Sequence, residues 1–90
     1  MDIRHYAEWM SARYNKDVIT LLNVPNGGQA RLVSISGRLR SKLMQYGLHI
    51  GDLVRVLRSA PLGGPLLVEV NGREIALGRA VAEKILVEIE

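Results

Sequence analysis

Short runs of apolar residues that alternate with polar ones fill the chain after residue 28, the spacing of strands that bury one face. Five such runs are predicted as strands: QARLVSIS (29–36), LVRVLRS (53–59), LLVEV (66–70), REIAL (73–77) and ILVEIE (85–90). In the first run Leu32 and Ile35 stand three positions apart, which breaks the alternation and indicates either a β-bulge or the end of the strand near Ser34.

A two-residue turn, Asn71-Gly72, separates the third and fourth runs and predicts a β-hairpin, because both turn residues need positive φ. The length of the turn fixes the register and sets Glu69 opposite Glu74, a like-charge pair that Arg55 or Arg58 on the next strand would offset. The hairpin positions predicted to face the core are Leu66, Val68, Val70, Ile75 and Leu77, and those of the last strand are Ile85, Val87 and Ile89.

Helical spacing occurs in three places. Residues 1–15 place Ile3, Tyr6 and Met10 on one stripe, which predicts a helical extension over residues 1–16 before a domain over residues 17–90. Residues 37–47 are predicted as a short helix with Leu39, Leu43 and Tyr46 on its buried face and Gly47 in the left-handed position just past its end. Residues 78–84 are predicted as a brief helical turn.

Short strands separated by turn signals are typical of a small β-barrel or sandwich. The predicted fold class is therefore mainly β: a small five-stranded barrel with one short inserted helix and an N-terminal helical extension. The glycine and proline turns, including PLGGP (61–65), serve the folding-back of the sheet and need no catalytic explanation.

Composition narrows the class of protein. The chain has 90 residues, no cysteine and no long apolar stretch, so we expect one soluble cytoplasmic domain without disulfides, signal peptide or membrane insertion. Its net charge is +3, and the excess lies in residues 31–58, which hold six Arg and Lys residues against Asp52 alone. Such a segment can attract an acidic partner or nucleic acid.

Candidate chemistry is sparse. The two histidines, His5 and His49, lack neighbours at ligand spacing, and His49 with Asp52 is interpreted as a turn pair. The serines lack a recognisable base, and neither NGG nor GGP opens a phosphate-binding helix. We therefore expect no enzymatic activity and no cofactor. Weak binding of ferrous or another divalent metal ion stays open as an alternative, although the ligand spacing does not support it.

Aromatic residues bear on two binding functions. Tyr46 is the sole aromatic residue of the predicted barrel, which leaves no aromatic groove for proline-rich peptides and no stacking platform for specific single-stranded nucleic acid. Nonspecific binding of phosphate backbones by the basic segment stays open as an alternative.

The ordered motifs from Leu39 to Glu88, LRSKLMQYGLHIGDLVRVLRSAPLGGPLLVEVNGREIALGRAVAEKILVE, resemble the FeoA family of small proteins of bacterial ferrous iron transport. The positions that carry the resemblance are Leu43, Gly47-Leu48, Gly51, Val54, Val56, Pro61 to Pro65, Gly72, Ile75 to Leu77, Ala82, Ile85 and Val87. TLLNVPNGGQARL, before them, is similar to the family's opening turn and first strand. Tyr46 and His49-Ile50 depart from the family's usual methionine and proline.

The resemblance implies an SH3-like barrel without catalysis that binds the soluble GTP-binding domain of the membrane transporter FeoB. The same domain also occurs at the C-terminus of iron-dependent repressors of the DtxR type, so a metal-dependent regulatory module is the alternative. The candidate contact is the helix over 38–46 with Arg38, Arg40, Met44 and Arg55, where a methionine edged by arginines suits docking. Met44 in the core is the competing interpretation. The stripe on residues 1–15 is expected either to cover an open barrel end or to mediate homo-oligomerisation.

Overall fold

The computed structural model describes residues 18–90, so the predicted helix over 1–15 and the domain boundary after residue 16 lie outside the described residues. Within this range the strands form one antiparallel sheet. They are β1 (Val18–Thr20), β2 (Gln29–Ile35), β3 (Leu53–Ser59), β4 (Leu66–Val70), β5 (Arg73–Leu77) and β6 (Ile85–Ile89). Their spatial order is β1-β6-β2-β3-β4-β5, which makes β1 and β5 the edges.

The five predicted strands are all present, but the described residues form six strands because β1 was not predicted. β1 has three residues, too few for an alternating pattern, and it exists by pairing with β6, where Ile19 lies opposite Val87. A 3-10 helix, Leu21–Asn23, follows it, and residues 18–90 also contain two α-helices, α1 (Gly37–Gln45) and α2 (Arg79–Glu83). Both α-helices fall where the spacing predicted them.

The core is lined by one face of the curled sheet and by residues of the helices. Every side chain that is buried in residues 18–90 is apolar. The core residues are Leu21, Val24, Ala30, Leu32, Ile35, Leu43, Leu48, Val54, Val56, Leu66, Val68, Val70, Leu77, Ala82, Ile85 and Val87. The cluster contains Leu21, directly after edge strand β1, and Leu77 of edge strand β5, so the two edges of the sheet share one core although β1 and β5 do not pair with each other.

The β4–β5 hairpin has the predicted register, with Glu69 opposite Glu74. Asn71 and Gly72 at its turn have φ of 53° and 78°, as a two-residue hairpin loop requires. Ile75, expected in the core, is only half-buried because β5 is an edge strand with open space beside it. Ile89, expected to face inward, is 38% exposed because it is the last residue of β6, at the rim of the core.

Two β-bulges among the described residues change which side chains lie on the outer faces of β2 and β3. The register of β2 against β6 shifts between Leu32 and Ser34 and the strand continues to Ile35, so of the two alternatives the bulge is present and the strand end is not. A second shift, between Val56 and Arg58 in the β3–β4 ladder, was not predicted and places Arg58 opposite Leu67. Arg55, before the bulge, remains opposite Glu69.

Candidate functional site

Helix α1 is fixed to the barrel by one buried side chain and by a hydrogen-bonded C-terminus. Leu43 is almost fully buried, and the glycine after the helix, Gly47, has φ of 91° as its sequence position predicted. The Gly47 N–H donates to the Met44 carbonyl (3.0 Å) and the Leu48 N–H donates to the Leu43 carbonyl (2.9 Å). This is the Schellman arrangement, and it brings the apolar Leu48 back under the last turn of the helix.

Hydrogen bonds stabilise the turn that follows α1, both within the turn and to strand β2. The Asp52 Oδ2 accepts the His49 N–H at 2.9 Å, and the Asp52 N–H donates to the His49 carbonyl at 3.0 Å. The backbone of Leu32 bonds Gly51 and Asp52 at 2.8 and 2.9 Å. His49 Nδ1 lies 3.6 Å from the same carboxylate, so this pair is a turn contact, as interpreted from the sequence.

A shallow depression of about 150 Å³ opens between α1 and this turn. Its lining residues are Ile35, Arg40, Met44, Leu48, His49 and Ile50. Ile35 and Leu48 are buried and form its base, whereas Met44 is 48% exposed and Ile50 is 42% exposed. The result is an apolar recess with an apolar rim in contact with water. We call this recess the α1 depression.

The four residues predicted for docking occupy different places. Arg40 and Met44 both line the α1 depression, and the exposure of Met44 rules out the competing interpretation that it is core. Arg38 is an exposed residue of the first turn of α1 and does not line the recess. Arg55 lies on the outer face of β3, where its Nε is 3.9 Å from Glu69 Oε1.

The charged residues of α1 are all basic, whereas Asp52 brings one carboxylate to the turn beside the depression, where it accepts the His49 N–H. Residues 37–50 contain Arg38, Arg40 and Lys42 and no aspartate or glutamate. All three side chains are exposed. A partner with acidic groups around an apolar protrusion would match both the recess and its surroundings.

Tyr46 was expected on the buried face of α1, and that expectation is wrong, since the residue is 47% exposed. It is the C-cap residue, where the chain leaves the helix and the 3.6-residue spacing no longer holds. Tyr46 instead edges a second depression of about 150 Å³, on the other flank of α1, together with Lys42, Ala76, Leu77 and Val81. Helix α1 therefore rises between two shallow recesses.

Sequence reasoning missed Ile50 and His49 as members of the surface. Both stand in a segment interpreted only as a turn. A signal was available, since Ile50 is a large apolar residue directly before a glycine in a polar turn, a place where burial is uncommon.

Residues 18–90 also bear on metal binding and membrane insertion. No three His, Asp or Glu side chains in that part of the chain gather around a common point that could hold a metal ion. No helix among these residues is both long and apolar enough to cross a bilayer.

Comparison with known proteins gives one consistent family. The sequence model of the FeoA domain matches residues 19–89. A protein of Methanocaldococcus jannaschii named "Putative Fe(2+) transport protein A" is 38% identical over 47 residues, which are 52% of this chain and 55% of the relative. The match thus spans about half the length of that relative.

Solved structures agree in fold. A crystal structure described as the iron uptake regulatory protein FeoA superposes with a TM-score of 0.73 and 31% identity, covering 82% of this chain and 99% of the other. A crystal structure of ScaR with bound Zn²⁺ superposes with a TM-score of 0.70 and 29% identity, covering 78% of this chain but 36% of ScaR. The chain corresponds to a small part of that larger protein.

Proposed function

This chain belongs to the FeoA domain family, and from that membership we propose that it is an accessory protein of ferrous iron transport that binds the soluble GTP-binding domain of a FeoB-type transporter. The relative from Methanocaldococcus jannaschii is named as an Fe(2+) transport protein, which supports a role in iron transport. The fold is the SH3-like barrel of the FeoA structures. A contact with a nucleotide-binding domain would place the chain in the cytoplasm.

The observation that carries the proposal is the α1 depression. Its volume of about 150 Å³ falls below the roughly 300–1,000 Å³ of pockets that enclose small molecules. A recess of this size suits one or two side chains from a protein partner. We infer that the surface binds a protein and not a metabolite.

Met44 and Arg40 would make different kinds of contact with such a partner. The methionine side chain is flexible and polarisable, and it adapts to the shape of an apolar partner group. The arginine beside it offers a planar donor set to a carboxylate at the rim of the partner. The expected partner surface is an apolar side chain flanked by Asp or Glu.

The test is the dissociation constant for the soluble GTP-binding domain of the transporter from the same organism. We expect Met44→Asp and Arg40→Glu each to weaken binding by about tenfold or more, because each removes a contact at the centre of the surface. Met44→Leu should keep most of the affinity, since it retains an apolar side chain of similar size.

Lys84→Glu is the matched control, because it reverses the charge of an exposed residue after α2, away from the depression. Thermal unfolding should show that all four variants remain folded. Equal affinity of wild type and Met44→Asp would exclude the α1 depression as the contact.

The alternative is a metal-dependent regulatory module, which the likeness to part of ScaR favours. A regulatory domain of that kind should be sensitive to metal. A rise in melting temperature with Zn²⁺ or Mn²⁺, together with no affinity for the transporter domain, would support it over the accessory role.

A further inference from the structure

Two turns of this protein share a backbone conformation but not a sequence. In the β4–β5 turn, Asn71 and Gly72 have φ of 53° and 78°. In the β3–β4 connection, Leu62 and Gly63 have φ of 58° and 74°, and the Gly64 N–H closes the turn on the Pro61 carbonyl at 3.2 Å. Two consecutive positive φ values are the pattern that Asn-Gly and Gly-Gly satisfy best.

Leucine is a poor residue for this position. In the left-handed region Cβ approaches the following carbonyl oxygen, and asparagine tolerates this by local hydrogen bonding whereas leucine does not. Leu62 and Asn71 are the two non-glycine residues with positive φ in residues 18–90. The hairpin turn shows which residue this chain uses when only the turn matters, so Leu62 needs another explanation.

Packing within the protein does not supply one. The Leu62 side chain is fully exposed, more than any other large apolar residue in the described range. It therefore contributes nothing to the core that would offset an unfavourable backbone. Strained residues that packing does not explain are found preferentially at sites of contact with ligands and partners.

The tip that carries Leu62 is tightly closed and flanked by prolines. Prolines stand on both sides, at 61 and 65, and the Ala60 N–H donates to the Pro65 carbonyl at 2.9 Å. At Gly64 a Cβ would lie 2.7 Å from the Ala60 Cβ, so the loop is closed as tightly as glycine allows. A tightly closed tip loses little conformational entropy when its side chain is buried by a partner.

The surroundings of the tip are basic. A Cβ on Gly63 would lie 3.9 Å from Arg79 Cδ, so part of the Arg79 side chain lies beside the turn. Arg58 is exposed near the end of β3, and residues 53–68 contain no acidic residue. An apolar knob with basic neighbours complements an apolar pocket with an acidic rim.

We propose that Leu62 is an anchor that inserts into an apolar, acid-rimmed pocket on the transporter's soluble GTP-binding domain, as a second contact besides the α1 depression. This inference rests on the proposed function, from which it takes the partner. A lipid surface is the weaker choice, because even an acyl chain of myristoyl length holds a protein only marginally. A second copy of this chain is also weaker, because its α1 depression carries Arg40 and would repel Arg58 and Arg79.

Leu62→Asn tests the proposal, since it gives the β3–β4 turn the Asn-Gly pair of the hairpin. The urea midpoint should stay equal or rise, while the dissociation constant for the transporter's GTP-binding domain should increase about ten- to a hundredfold, the effect of losing one buried leucine. Asn71→Gly is the control, a change at the equivalent position of the other turn, and its affinity should equal that of wild type.

The outcomes separate the two proposals. If wild type binds and Met44→Asp does not, but Leu62→Asn binds as tightly as wild type, the anchor is excluded and the accessory function stands. If wild type does not bind the domain, both fall. The anchor is also excluded if Leu62→Asn abolishes adsorption to vesicles of phosphatidylserine and phosphatidylcholine, or abolishes a dimer seen by light scattering, while its affinity for the domain is unchanged.

Discussion

Glycine positions show how closely individual residues are constrained. Gly64 has no room for a side chain, because a Cβ would meet the Ala60 Cβ at 2.7 Å and the Pro61 carbonyl oxygen at 3.2 Å. Gly37, at the start of α1, has nothing within 4 Å of such a Cβ. A side chain would therefore not fit at Gly64, whereas the structure leaves room for one at Gly37.

We expect Gly64→Ala to lower the free energy of unfolding by about 1–3 kcal/mol, the usual cost of forcing an extra methyl group into a closed space. Gly37→Ala should leave it unchanged or raise it by up to about 1 kcal/mol, because alanine restricts the unfolded chain and favours the helix. Urea titration measures both. A Gly64→Ala variant as stable as wild type would show that the β3–β4 loop shifts freely.

At the scale of elements, the β4–β5 hairpin carries an unfavourable pair on its outer face. Glu69 and Glu74 lie opposite each other, and like charges in that position destabilise a ladder. The neighbouring strand β3 supplies Arg55, whose Nε is 3.9 Å from Glu69 Oε1. Arg58, the other residue considered from the sequence, faces Leu67 because of the bulge in β3.

Arg55→Glu should therefore cost about 1 kcal/mol of unfolding free energy at low salt, a value typical of exposed pairs together with the new repulsion. Arg58→Glu should cost less, since no acid lies opposite it. The difference in unfolding free energy between the two variants should shrink in about 1 M salt, because the Debye length is then about 3 Å. Equal costs at both salt concentrations would contradict the assigned neighbours.

For the molecule as a whole, the segment before β2 is part of the barrel. Leu21 is fully buried, and the 3-10 helix that contains it packs against α2 and β6. Its neighbour Leu22 is half-buried, with its N–H donating to the Thr20 Oγ1 at 3.0 Å. Residues from the two ends of the described chain thus share one core.

We expect Leu21→Ala to reduce the free energy of unfolding by about 2–5 kcal/mol, as for other fully buried leucines that leave a cavity. Leu22→Ala should cost about 1 kcal/mol, because much of that side chain already contacts water. Urea unfolding of the full-length variants, followed by circular dichroism, measures both free energies of unfolding. Similar costs for the two variants would mean that the segment is peripheral to the core.

Local features of the sequence determined most elements and one register. Alternation located five strands, Asn71-Gly72 set the hairpin pairing, and Gly47 marked the end of α1. These predictions succeed because each depends on the steric preferences or side-chain periodicity of residues that are close in the chain.

Only the tertiary structure decided the features that depend on distant partners. β1 forms by pairing with β6, the bulge after Val56 places Arg58 opposite Leu67, and Ile50 and Met44 line one depression from the two sides of the turn that follows α1. The tertiary structure likewise decided that Met44 is exposed, since helical spacing left both a surface and a core position open for it. Such outcomes balance pairing and burial over long sequence separations, and local spacing carries no information about that balance.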